Sequence, residues 1–189
     1  DMAKNTKKTI VASFVRFLNK KPIGRITVQN IVQDCRINRN TFYYYFNDIY
    51  AVLDDVFEID ALRDCEASRD FAKLSALLWR RVEFAEANRA AVRRLYHDMS
   101  RDQFGQYLYG GIDTFVLIYV ARQSAGLAVS DTQIRTVARF CKYVLIGSVL
   151  EWLSSDTEDD LSFFLSSIFR FSDGRVRTML EEMAQKTKS

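Results

Sequence analysis

An all-α fold is expected for this chain, on three observations. Helix breakers are scarce, with one proline and seven glycines in 189 residues. Apolar residues recur at three- and four-residue spacing along most of its length, as in Ile10, Phe14, Phe17 and Leu18. Residues suited to helix N-caps, among them Thr27, Asn38, Asp48 and Ser130, stand ahead of such stretches. With 48% hydrophobic residues the chain can bury a substantial core as one or two small domains. No apolar run approaches the roughly 18 residues that cross a membrane, and no secretory signal is visible. Cys35, Cys65 and Cys141 lie far apart, in neither a disulfide framework nor a zinc pattern, which suits a reducing cytoplasm. No metal or cofactor is expected. Met2 reads as a natural start, with Asp1 an added residue.

The first helix is read from Lys4 to Lys20, ended by Lys20-Lys21-Pro22, with Gly24 in the loop. Thr27 caps a second helix to about Asp34, carrying Val28, Ile31 and Val32 on one face. Cys35-Arg36-Ile37 is the turn, and Asn38 caps a third helix through Tyr45. Ile26, Val28, Ile31, Ile37, Phe42 and Phe46 are the expected inward residues. A helix, a tight turn and a second helix with polar and aromatic residues outward is the plan of a DNA-binding helix-turn-helix.

On that plan Arg39, Asn40 and Tyr44 point outward. Arginine suits a bidentate contact with guanine and asparagine one with adenine, so Arg39 and Asn40 are the expected base readers. The hydroxyls of Thr41, Tyr43 and Tyr45 suit phosphates, which fix register. Thr27 and the amides after Asp48 add helix N-termini for phosphate, and Lys7 and Lys8 lie at the backbone. Charge agrees: residues 1–48 hold nine Lys/Arg against three acids, +6, and the remainder is −3. A basic face can be merely solvated; beside a helix-turn-helix, phosphate attraction is the better reading.

The run RNTFYYYF, Arg39 to Phe46, follows I-T-V-x-x-I and precedes a capped helix. In this it resembles the DNA-binding end of TetR/AcrR-family regulators, over about Lys7 to Phe57. INRNTFYYYFNDIY together with YVLIGSVLEWL is similar to the subgroup named for regulators of dihydroxyacetone kinase. The resemblance implies a three-helix DNA-binding head, residues 1–48, and a helical regulatory and dimerisation domain, residues 49–189. Two departures stand out: Arg36 occupies a turn position where the family usually has glycine, and Ile49 a position where it often has lysine.

Beyond the head, a long helix is read from Ile49 through Val52, Leu53, Val56 and Phe57 towards Asp64. Phe71 to about Ala87 and Asn88 to about Asp98 follow. Arg101 to Ala125 is one helix or two, because Gly110-Gly111 weakens its middle and Asp113 can cap a new start. Ser130 and Gln133 form a capping box before Ile134 to Leu153, whose apolar surface is too wide for one seam. Thr157 is read as the cap of a helix carrying Leu161, Phe164, Leu165, Ile168 and Phe169. Asp173-Gly174 precedes a last helix.

By resemblance, the late long helices of two subunits form a four-helix interface, here expected at Val144, Val149, Trp152, Phe164 and Ile168. The resemblance also implies an effector pocket, with Trp79, Tyr96, Tyr107 and Tyr119 as candidates, although aromatics at helical spacing are by default core. His97-Asp98 reads as a polar helix end, since no nucleophile elbow or glycine-rich phosphate loop accompanies it, and no enzyme is expected. The expected function is sequence-specific DNA binding by a ligand-responsive homodimeric repressor on a palindromic operator in double-stranded DNA. The alternative is a co-regulator acting through a protein partner rather than a small-molecule effector.

Overall fold

The structure is a computed structural model in which residues 2–155 and 159–186 are described. Among these residues it is all-α, without strands. In chain order the helices are α1 (Met2–Leu18), α2 (Val28–Cys35), α3 (Arg39–Tyr45), α4 (Ile49–Val56), α5 (Ile59–Ser68) and α6 (Phe71–Ala87). Then come α7 (Arg89–Asp98), α8 (Arg101–Tyr109), α9 (Ile112–Gln123), α10 (Asp131–Ser154), α11 (Leu161–Ser172) and α12 (Arg175–Lys186). No helix among the described residues is long and apolar enough to cross a membrane.

The chain folds as two compact units, residues 1–61 with 87–107 and residues 62–86 with 108–189. The first contains the head. Ile10, Phe14 and Leu18 of α1 are fully buried, as are Ile31 of α2 and Phe42 of α3, so three apolar stripes close on one small core. Each such side chain contributes roughly 1.5 to 3 kcal/mol by leaving water. This unit takes in α4 and α7 as well as the three helices of the head. Lys7 of α1 pairs with Asp55 of α4. Arg94 of α7 donates to the Leu18 carbonyl that ends α1, at 3.2 Å, and Asn19 donates to the Asn88 side chain at 2.9 Å.

The single long helix read from Ile49 is two helices. Glu58 takes a left-handed conformation, φ 50°, between α4 and α5. No glycine or proline marks that break. Phe57, just before it, is buried in the first unit, and Leu62, just after it, in the second.

In the second unit α9 packs against α10 and α12, burying Phe115, Val116 and Val120. The stretch after Arg101 is two helices, and Gly111 is the N-cap of α9 at φ 81° rather than Asp113. A Cβ there would collide with the Leu62 side chain, so glycine is required on two grounds. Asp113 instead pairs with Lys142 of α10 at 2.8 Å. Ser130 and Gln133 form the expected capping box on α10. Thr157 lies outside the described residues; the cap of α11 is Asp160, whose carboxylate accepts from the Phe163 amide at 2.8 Å.

Candidate nucleic-acid interface

The start of α3 is fixed by one side chain. Asn38 Oδ1 accepts from the Thr41 amide at 2.7 Å and from the Thr41 hydroxyl at 3.0 Å. The entry to α3 is fixed by the turn before it. Arg36 sits at φ 54°, ψ 43°, and the Ile37 amide reaches back to the Val32 carbonyl at 3.0 Å. A side chain therefore occupies the left-handed position that glycine takes most cheaply, at about 1 to 2 kcal/mol. Phe42 and Phe46 turn inward, with rings 5.9 Å apart, and Arg39, Asn40, Tyr43 and Tyr44 of α3 face out.

That outward face carries Arg39 and Asn40, both exposed, with Tyr43 52% and Tyr44 79% exposed. Thr41 and Tyr45 are half-buried; the Thr41 hydroxyl is given to Asn38, and the Tyr45 ring stands edge-on to Tyr44 at 4.9 Å. Thr27 caps α2 in a reciprocal box, its hydroxyl accepting from the Asn30 amide at 3.2 Å. Lys7 is turned to Asp55 and lies over the Phe46 ring, 5.4 Å from its centroid. Lys8, next to it, is exposed. Asp34, the acid nearest the turn, is held below the usual carboxylate range by the Ser13 hydroxyl first and by Arg16 second.

One residue of this surface had no signal in the sequence. Gln29 of α2 accepts from Arg39 Nε at 3.3 Å and Nη2 at 3.1 Å. Only the spatial approach of α2 to α3 brings those positions together.

The fold is matched by a known protein, and the later part of the chain by a family model. Residues 74–174, more than half of the chain, match the model of a TetR-type transcriptional regulator C-terminal region. The chain belongs to the TetR-type transcriptional regulators. A solved structure titled dihydroxyacetone kinase operon activator DhaS shares the fold, with TM-score 0.70 and 19% identity over 92% of this chain and 97% of that one. No curated protein matches the sequence. Membership makes the chain a DNA-binding regulator of transcription and not an enzyme.

Four aromatics are expected at an effector pocket of this TetR-type regulator. Tyr96 and Tyr107 belong to the first unit, Trp79 and Tyr119 to the second. The Tyr107 hydroxyl donates to Asp54 Oδ1 at 2.8 Å and its ring packs on Phe57. Burial first, then that carboxylate, push its phenol well above the ordinary tyrosine range, so it stays protonated. Tyr96 stands edge-on to Phe104 at 5.5 Å and against His97, itself exposed at the end of α7. The Trp79 ring packs on Phe169 at 6.0 Å.

Tyr119 lines an apolar groove of about 500 Å³ with Val144 of α10, Ile168 and Phe171 of α11, and Val176 of α12. Phe140, also on its wall, is 56% exposed and Phe171 69%. Of the residues expected at a subunit interface, Val144, Val149 and Ile168 are half-buried and Phe164 is 44% exposed. Trp152 is different. It is buried within its own chain, its indole N–H donating to the Asp159 carbonyl at 2.9 Å.

Proposed function

We propose that this regulator is a homodimeric repressor that binds a roughly palindromic operator and releases it in response to a ligand. The observation that carries the reading is α3. It buries Phe42 and Phe46 and presents Arg39, Asn40, Tyr43 and Tyr44 on a rigid, capped helix within a basic segment. Residues 1–48 form the DNA-binding domain and residues 49–189 the regulatory and dimerisation domain. Arg39 and Asn40 read bases. Tyr43, Tyr44, Thr27 and the exposed edge of Thr41 and Tyr45 bind phosphate, as do Lys7, which also pairs with Asp55 of α4, and the exposed Lys8 beside it. The two recognition helices of the dimer enter successive major grooves about 34 to 36 Å apart, or a multiple of that. The ligand lowers DNA affinity by binding better to the arrangement that misplaces those helices.

The dimer forms through α10 and α11. Support comes from the bare rings exposed there, Phe140, Phe163, Phe164 and Phe171, with Tyr143 beside them, on helices whose other faces are buried. Val144, Val149 and Ile168 belong to this interface and Trp152 does not. Of the four pocket candidates, Tyr119 lines the apolar groove and is proposed first as an effector contact, followed by Trp79, Tyr96 and Tyr107.

A second reading is a transcriptional co-regulator of the dihydroxyacetone-kinase-regulator subgroup that acts through a protein partner. The neighbour of the same fold, which carries the name of an operon activator, favours it. Fluorescence anisotropy on the DNA upstream of the protein's own gene, against scrambled DNA across a salt series, separates the two readings. Tight, selective binding that weakens with salt is expected. Weak, unselective binding by a folded sample would transfer the function to a partner protein.

A further inference from the structure

We infer that Gln29 is a positioning residue for base reading, so that α2 and α3 act as one composite reader. The inference rests on the DNA-binding reading of α3. An exposed arginine at the start of a helix is normally free to sample many rotamers, and a contact with a base must first freeze them. Here that freedom is already curtailed. Gln29 Oε1 accepts from both Nε and Nη2 of Arg39, at 3.3 and 3.1 Å, so one edge of the guanidinium plane is held by a neighbouring helix.

The geometry leaves the Nη1–Nη2 end of the fork unspent among the described residues, and this is the pair of donors that matches O6 and N7 of guanine. The helices that carry the two residues are themselves fixed. Asn30, next to Gln29, closes the capping box with Thr27, and its side chain also accepts from Lys21 at 2.6 Å. Asn38, next to Arg39, caps α3. Gln29 therefore sets where the guanidinium points without needing to touch a base.

The test is selection from a randomised duplex library by the full chain, comparing wild type with Gln29→Ala, Gln29→Glu, Arg39→Ala and the Gln29→Ala/Arg39→Ala double variant. Gln29→Ala is expected to lose about tenfold of the preference at the base pair read by Arg39. Its melting temperature and salt slope should stay those of wild type. Gln29→Glu, whose carboxylate can accept from the same two donors, should keep that preference while binding all duplexes more weakly through its added charge. The double variant should be no less selective at that base pair than Arg39→Ala alone.

If Gln29→Ala leaves that preference unchanged, or alters a different base pair from Arg39→Ala, Gln29 is not a positioning residue. If wild type itself selects no sequence, the DNA reading of α3 fails and this inference falls with it. Selective wild type beside an unaltered Gln29→Ala overturns the inference alone.

Discussion

The head and the late helices expose aromatic rings of different kinds. On α3 the exposed rings are tyrosines, Tyr43 and Tyr44, interleaved with Arg39 and Asn40. On α11 they are phenylalanines, Phe163, Phe164 and Phe171, joined from α10 by Phe140 and by Tyr143. A tyrosine carries a hydroxyl that water or phosphate can satisfy, so its exposure costs little. A bare phenyl group has no such partner, and several on one surface mark a place that another apolar surface covers. The same residue class, read by its polar handle, thus separates the surface proposed for nucleic acid from the surface proposed for a second protein chain.

The largest effect should come from removing the buried ring on which the placement of α3 depends. Phe42→Ala leaves a cavity in the centre of the head core and should cost about 3 to 5 kcal/mol, read from chemical denaturation. Next in size is the body surface. Phe171→Ser should weaken self-association by about 2 kcal/mol or more in sedimentation equilibrium, with little change in circular dichroism. No change in mass would place the subunit contact elsewhere. Arg39→Ala should cost about 1 to 3 kcal/mol in duplex affinity and relax preference at one base pair, with mass and melting unaltered. Unchanged preference in binding titrations would remove Arg39 from the reading surface.

Two smaller effects test how the head is built. Arg36→Gly should stabilise the protein by about 1 kcal/mol, because glycine takes the left-handed position without the Cβ clash. That corresponds to a rise of roughly 2 to 4 °C in melting temperature. A fall instead would mean that the Arg36 side chain makes contacts worth more than the strain. The smallest effect is in acid. Asp34 has a lowered pKa in the folded protein, so its stabilisation is present above the ordinary carboxylate value of about 3.9 and is lost as pH falls through the lowered one. Asp34→Asn should flatten that part of the melting-temperature profile, and Ser13→Ala should do so in part.

How much of this was legible in the sequence follows from the range of the interactions. Thr27, Asn38, Asp48 and Ser130 cap their helices through contacts three residues along, and such contacts are written locally. The glycine pair before α9 was legible as a weak point that left one helix or two open, and the structure breaks there, with Gly111 at φ 81°. The break at Glu58 was not, since an ordinary residue is forced there by where Phe57 and Leu62 are buried. The partners of Lys7 and of Arg39 lie 48 and 10 residues away, and nothing local announces them. The polar partners of Trp152 and Tyr107 were out of reach for a related reason. A helical pattern marks a side chain as apolar but does not say whether its own chain already fills its polar handle.

The measurement that most directly tests the division between the two surfaces is sedimentation velocity of the protein mixed with a fluorescently labelled selected duplex. Wild type, Arg39→Ala and Phe171→Ser would be run side by side. The expected result is two chains on each duplex for wild type, two chains and free duplex for Arg39→Ala, and a single chain for Phe171→Ser. A wild-type protein that sediments as one chain, or an Arg39→Ala variant that holds the duplex as tightly as wild type, would contradict it.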